Sequence, residues 1–324
     1  MSSSGKRSAV TAALVRLGPV IGLAFVFLIF SILRPSTFLT LSNLEIMLLQ
    51  SAVVGMAALG MTMVIISGGI DLSVGSTIAL CTVVIAQMLT AGFSPLTAAL
   101  CGVVTGSLCG LLTGFLVTRL KVTPFIVTLG MLGIYRGLAK GISSQQMVSA
   151  PETWLNDLLT SLAPGEGWLL LPPGVWATLA AALLTAGFLM YTKPGRYIFA
   201  VGSNELTARL CGVPVTSIKL LVFTLGATFA GLAGVLQFSY LTMGDPTTAL
   251  GSELDVIAAV VIGGGSLSGG EGSVLGSLVG AFIMTVVGNG CTKLGLDNWV
   301  QEMVTGGIIV LAVALDRWRH RSEI

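Results

Sequence analysis

Charged side chains are scarce in this chain. They make up 9% of its 324 residues, against roughly 25% in an ordinary globular protein, and a water-facing surface cannot be built from so few. Histidine is scarcer still: His320 is the single one, which removes most metal-ligand and acid–base chemistry. The five cysteines, Cys81, Cys101, Cys109, Cys211 and Cys291, form no CxxC pair. They mostly sit in apolar stretches and read as small buried hydrophobes, with neither a zinc site nor a disulfide framework. A Walker A loop is absent, since Gly5-Lys6 is followed by Arg7 and not by Ser or Thr; the chain is not expected to hydrolyse ATP by itself. No metal or cofactor is expected. A net charge of +2 is too small to suggest a nucleic-acid partner, and no basic stretch is interleaved with aromatics.

What the chain does have is apolar surface and glycine. Hydrophobic residues reach 54%, with 42 glycines and a mean hydropathy of +0.96, which fits a surface facing a lipid bilayer. The expected class is an all-α polytopic membrane protein, one transmembrane domain over residues 1–324. A bilayer core of roughly 30 Å needs about 20 apolar residues per helix, and on that scale ten segments emerge: Leu17–Leu33, Ile46–Ile66, Val74–Ala91, Pro95–Thr118, Val122–Ala139, Gly174–Tyr191, Leu220–Ser239, Leu254–Gly264, Val274–Gly290 and Trp299–Leu315. Lys6, Arg7 and Arg16 precede the first, but no small-x-small cleavage site follows it, so it reads as a retained anchor and not as a signal peptide. The eighth is short for a crossing and is expected to be irregular, broken or re-entrant.

With ten crossings and the N-terminus inside, twelve basic residues fall in inner loops and tails: Lys6, Arg7, Arg16, Arg119, Lys121, Lys193, Arg196, Arg209, Lys219, Arg317, Arg319 and Arg321. Arg34, Arg136, Lys140 and Lys293 make up the other four. That asymmetry predicts cytoplasmic termini. Two long loops remain, one outside over residues 140–173 with Trp154 and Trp168 as interfacial anchors, and one inside over residues 192–219. The glycine ladder Gly102, Gly106, Gly110 and Gly114, echoed by Gly272, Gly276 and Gly280, suits close helix packing.

Three stretches stand apart from simple spans. Ile66-Ser-Gly-Gly-Ile-Asp-Leu-Ser-Val-Gly-Ser76 lets the backbone leave helical geometry at Gly68 and Gly69. A carboxylate there needs a reason, because a charge at the membrane centre costs about 2.5–3.5 kcal/mol on insertion scales. Asp71 with Ser73 can satisfy amides that open the next helix; contact with a transported solute and ion coupling are the other uses open to it. Ser67, Gly68, Gly69, Asp71 and Ser73 are therefore helix-break or pathway candidates. So are Gly263, Gly264, Gly265 and Ser266 in a second break, Ile262-Gly-Gly-Gly-Ser-Leu-Ser-Gly-Gly-Glu-Gly-Ser273, because broken helices at depth expose backbone polar groups to a pathway. In the inner loop Asn204 is a good N-cap, Glu205 suits a first turn, and Gly212 followed by Pro214 forms a stop, which predicts a two-turn helix over Glu205–Cys211. Such a helix suits docking to a cytoplasmic partner, or lying in the headgroup layer with Leu206 and Leu210 inward.

ISGGIDLSVGS at Ile66–Ser76, TPFIVTLG at Thr123–Gly130, GRYIFAVGSNELTARLCGV at Gly195–Val213 and VVIGGGSLSGGEGSVLGSLVGA at Val260–Ala281 together resemble the membrane permeases of bacterial ABC importers for monosaccharides of the ribose, xylose and arabinose type. The resemblance covers nearly the whole chain. Permeases for branched-chain amino acids, nucleosides and an autoinducer share part of it. It implies an inner-membrane subunit that pairs with a second permease copy or a paralogue, a periplasmic sugar-binding protein that delivers the substrate, and a cytoplasmic ABC ATPase that drives alternating access. It also implies that Asn204, Glu205, Ala208, Arg209 and Gly212 couple the permease to that ATPase. One departure stands out: Glu205 and Leu206 occupy positions where relatives commonly carry Pro and Glu, so the contact made by that acid does not carry over to Leu206. The alternative class is an ion-coupled secondary transporter using Asp71.

Overall fold

Ser or Thr at the N-cap, often with Pro in the first turn, opens most of the long helices. Thr40 accepts a hydrogen bond from the Asn43 amide, Ser94 from that of Thr97 and Ser273 from that of Gly276, while Pro95, Pro124 and Pro173 occupy first-turn positions where the missing N–H costs nothing. The computed structural model describes residues 3–162 and 169–321, with side chains described over 17–162 and 169–314. Trp168, and the side chains of Lys6, Arg7, Arg16, Arg317, Arg319, His320 and Arg321, lie outside the described residues.

Among the described residues the chain forms thirteen α-helices: α1 (Ser3–Leu33), α2 (Pro35–Phe38), α3 (Leu41–Ile66), α4 (Val74–Thr90), α5 (Pro95–Leu120), α6 (Pro124–Ile142), α7 (Pro173–Tyr191), α8 (Lys193–Ser203), α9 (Glu205–Leu210), α10 (Val215–Leu241), α11 (Ser252–Ile262), α12 (Val274–Lys293) and α13 (Asn298–Arg321). Two-residue strands β1 (Val148–Ser149) and β2 (Met243–Gly244) pair antiparallel, Val148 opposite Gly244. Each of the ten apolar segments falls on its own helix. Among the described residues six helices, α3, α5, α6, α7, α10 and α12, are long and apolar enough to cross a bilayer, and Leu17–Leu33, Val74–Thr90 and Asn298–Ala314 are shorter apolar stretches. The chain is an all-α polytopic membrane protein.

α3 forms the axis of the bundle. From Ala58 to Ile66 every residue is buried, with α10, α12, α11 and α7 around it. α10 packs most extensively on α5, and the glycine ladder explains the fit: a side chain at Gly106 or Gly110 would run into the α10 backbone at Ala227 or Phe223. Gly276 and Gly280 do the same for α12 against Gly263 and Ala259 of α11. These stripes let the helix backbones pack closely.

Two helices start inside the bundle. α4 has 17 residues and its antiparallel neighbour α5 has 26; joined by a short turn, they leave the first turn of α4 about 13 Å short of the far end of α5, at 1.5 Å per residue. α11 has only 11 residues, about 16 Å of helix, which is the irregular eighth segment. The starts of these two helices meet: a side chain at Gly75 would collide with the Ala249 carbonyl and with Glu253.

Candidate functional site

At the end of the bundle that carries Lys121, Arg209 and Lys219, the two glycine-rich breaks and the inner loop converge. The Gly270 amide donates to the Ile66 carbonyl over 2.8 Å. A Cβ on Gly202 would overlap that same carbonyl, and one on Gly269 would lie 2.9 Å from Gly68 Cα and 2.7 Å from the Gly202 oxygen. Gly269 and Gly270 both hold positive φ, 84° and 80°, a region that glycine enters without steric cost. Three motifs distant in sequence are thus stacked backbone on backbone.

Beside this junction lies a cavity of about 780 Å³. Ser67, Gly68 and Gly69 form part of its wall, with Lys121 and Thr123 from the α5–α6 turn, Asn204, Glu205 and Arg209 from α9, and Lys219 from α10. Lys121 closes α5 in the left-handed conformation, φ 53°. Glu205 bridges two cations, accepting from Arg209 at 3.1 Å and from Lys219 at 2.6 Å. The second contact ties α9 to the base of α10.

α9 is capped at both ends. Asn204 Oδ1 accepts from the Thr207 amide at 2.9 Å. At the other end Gly212, φ 82°, donates to the Arg209 carbonyl while Val213 donates to that of Ala208, a left-handed stop. Cys211 is the C-cap, so the helix ends one residue before the sequence boundary. Ala208 is buried, whereas Leu206 and Leu210 are 74% and 89% exposed. α8, which falls within the inner loop of residues 192–219, precedes it. Its cap is Thr192, whose hydroxyl accepts from the Gly195 amide, and its buried face is Gly195, Ile198 and Val201. A 3.6-residue period over residues 195–201 was the available signal.

Asp71 and Ser73 lie deeper and line no described cavity. Asp71 is 4% exposed, and its Oδ1 accepts from the Ser73 amide at 2.8 Å and the Ser73 hydroxyl at 2.6 Å. This is an aspartate turn placed before α4. It satisfies the amide of the N-cap residue Ser73 itself, where the sequence suggested amides inside the helix. The preceding carbonyl, that of Ile70, accepts from the Thr128 hydroxyl. Gly263, Gly264, Gly265 and Ser266 also sit outside the cavity walls: Gly263 ends α11, Gly264 turns the chain at φ 92°, and Ser268 is the residue of this break that reaches the cavity.

A second cavity, about 320 Å³, opens at the opposite end of α3. It lies among Gln50, Val53 and Ala57 of α3, Ile78 of α4, Gln237 and Tyr240 of α10, Ser252, Asp255 and Val256 of α11, and Thr285 and Asn289 of α12. The two cavities share no residue. One wall is the segment between β2 and α11. Buried Arg136 fastens it by donating to the Pro246 and Thr248 carbonyls at 3.0 and 2.7 Å, and Gln237 Nε2 donates to the Thr248 hydroxyl. In sequence Gln50 and Asn289 are isolated polar residues within apolar spans, and nothing local says that α3, α10, α11 and α12 meet there.

The family model described as branched-chain amino acid transport system, permease component, matches residues 43–313. The chain belongs to that family. It is also similar along nearly its whole length to the ribose import permease of Bacillus subtilis (strain 168), at 39% identity over 98% of this chain and 97% of the relative. The ribose import permease of Escherichia coli (strain K12) is 38% identical over 97% of both chains. An L-arabinose ABC transporter permease of Azospirillum brasilense is 36% identical over 93% of this chain and 88% of the relative. No solved structure matches. The permease is therefore a multi-pass inner-membrane subunit of an ABC importer, a translocation component and not the enzyme that hydrolyses ATP.

Proposed function

We propose that this permease, acting as a single domain over residues 1–324, carries a monosaccharide from a periplasmic binding protein into the cytoplasm by alternating access. A separate cytoplasmic ABC ATPase drives the cycle, and a second permease copy or a paralogue completes the pore. The observation that carries this reading is the pair of cavities at opposite ends of α3, one about 320 Å³ and one about 780 Å³, held apart by the wholly buried stretch 58–66. An importer that exposes its path to one side at a time needs such a closed middle. The full-length similarity to ribose and arabinose permeases supports a sugar as cargo.

On this reading the larger cavity is the cytoplasmic vestibule, where basic residues gather as the positive-inside rule requires. α9 is the coupling element: its ends are fixed by Asn204 and Gly212, Glu205 anchors it to α10, and Arg209 with the exposed Leu206 and Leu210 faces the ATPase. Ion coupling through Asp71 has less support, because its carboxylate is engaged by Ser73 and lines no cavity among the described residues.

Proteoliposomes that contain the permease with its ATPase and binding protein test the reading. Uptake of ribose or L-arabinose is expected to require ATP inside and binding protein outside, and to be indifferent to ionophores. Uptake without the ATPase that follows a sodium or proton gradient would replace this function with a secondary transporter.

A further inference from the structure

The second cavity holds a carboxylate with nothing to do. Ser252, Asp255 and Val256 project from one face of α11 into it, at the i, i+3, i+4 spacing that shares a helix face. Among the described residues the Asp255 carboxylate has neither a hydrogen-bond donor nor a cation within reach. Asp245, in the segment before α11, accepts from the Thr247 amide and hydroxyl, whereas Glu253, two residues before Asp255, also keeps a buried carboxylate oxygen without a partner. In the same cavity Gln50 Nε2 donates to the Tyr240 hydroxyl at 3.1 Å. That contact leaves the Gln50 carbonyl oxygen free to accept and the Tyr240 proton free to be donated. Val53, Ala57 and Ile78 supply an apolar wall below.

The volume, about 320 Å³, is near the lower end of the roughly 300–1,000 Å³ of small-molecule pockets and equals the space of about ten waters at 30 Å³ each. One small ring fits; a peptide does not. A carboxylate beside amide and phenol groups over an apolar wall matches a molecule with adjacent hydroxyls on one edge and C–H bonds on its face, because a carboxylate accepts two donors side by side.

We infer that this cavity is a monosaccharide subsite within the permease, in which Asp255 accepts hydrogen bonds from neighbouring sugar hydroxyls while Gln50 and Tyr240 hold the opposite edge. The inference rests on the transport function proposed above and adds to it: the membrane subunit itself reads hydroxyl pattern after the binding protein lets go. Asp255 also stands in the first turn of α11, where a negative charge favours the helix dipole, so the test has to separate recognition from helix stability.

In proteoliposomes with the ATPase and saturating binding protein, uptake per ATP hydrolysed is measured for whichever of ribose, L-arabinose, xylose and galactose the wild-type complex carries fastest, and for its monodeoxy analogues. Asp255→Ala is expected to lower uptake of the parent sugar roughly tenfold or more, the loss of one charge-assisted hydrogen bond, with binding-protein-stimulated hydrolysis maintained. Asp255→Asn, which still accepts, falls between. One deoxy analogue is expected to be carried slowly by the wild type and no more slowly by Asp255→Ala, since the bond is already missing. An equal loss for the parent sugar and every analogue assigns Asp255 to the helix alone and overturns the subsite, as does no loss at all. If Asp255→Ala fails to insert, Asp255→Asn and Gln50→Leu carry the same comparison. A wild-type complex that carries leucine and none of these sugars overturns the proposed function and the subsite together, an outcome distinct from loss in the variants alone.

Discussion

Asn43 and Asn289 hold each other by two reciprocal hydrogen bonds, Nδ2 to Oδ1 in each direction, at 2.9 and 3.0 Å. They stand 246 positions apart in the chain, one in the first turn of α3 and the other near the end of α12. Asn43 also donates to the Phe38 carbonyl, so a single buried amide joins α2, α3 and α12 beside the second cavity. Removing either partner strands the other, at a cost of roughly 1–3 kcal/mol for a buried polar group left unpaired. Asn43→Leu and Asn289→Leu are each expected to lower the melting temperature of the purified permease. The double variant is expected to be less destabilised than the sum, since both amides have gone. Strictly additive losses would show that the pair is not coupled.

Gly202 is the tightest point of the three-motif junction. Gly202→Ala places a methyl group on the Ile66 carbonyl and 2.6 Å from the Gly270 nitrogen, both backbone atoms that cannot swing away, and overpacking of this kind costs about 1–3 kcal/mol or more. Folded, inserted protein is expected to drop sharply. Gly137→Ala, with open space around its site in α6, is expected to leave abundance unchanged. Fluorescence-detected size exclusion of the two variants side by side decides the matter.

The Arg209–Glu205 pair is largely exposed, 64% for the Arg209 side chain, and exposed pairs contribute only about 0–1 kcal/mol. Arg209→Glu is therefore expected to insert and accumulate normally while sugar uptake and binding-protein-stimulated ATP hydrolysis both fall. Gly212→Val strains a left-handed stop, φ 82°, that β-branched residues rarely adopt. It is expected to uncouple in the same way. Wild-type rates of both processes in both variants, measured in vesicles, would remove α9 from the coupling role.

Asp71→Asn keeps an oxygen that accepts from the Ser73 amide and hydroxyl, whereas Asp71→Leu removes the acceptor and leaves a buried amide unpaired. Uptake is expected to survive the first change and fail, through lost folding, in the second. Loss of uptake in Asp71→Asn at normal membrane abundance would mean that the charge itself is used, and would favour ion coupling.

The 12 to 4 division of basic residues predicts cytoplasmic termini. Reporter fusions at Ile324 are expected to be active for a cytoplasmic reporter and silent for a periplasmic one; the reverse result overturns the ten-crossing topology.

The ten apolar segments were legible because the bilayer leaves a backbone few options: each span must satisfy its own hydrogen bonds over a fixed thickness, so length and hydropathy alone mark it. The caps were legible as well. Asn204 and Gly212 act on amides and carbonyls within four residues of themselves, a distance at which sequence spacing is geometry. α8 was missed because Pro194-Gly195 reads as a breaker, while a Pro in the first turn behind the Thr192 cap is permitted.

Sequence by itself determined the membrane class, the segments, the charge asymmetry and the places where helices break. It could say that Gly202, Gly269 and Gly270 lack side chains, but not what that bareness is for. Only the tertiary structure decided that these glycines close on Ile66 and Gly68, that α4 and α11 begin facing each other inside the bundle, and that Asp255, Gln50 and Tyr240 line one cavity. The reason is physical: a cap or a span is an interaction of a segment with itself or with lipid, whereas a junction or a cavity is set by which helices pack together, and close packing is decided by the shapes of both partners at once.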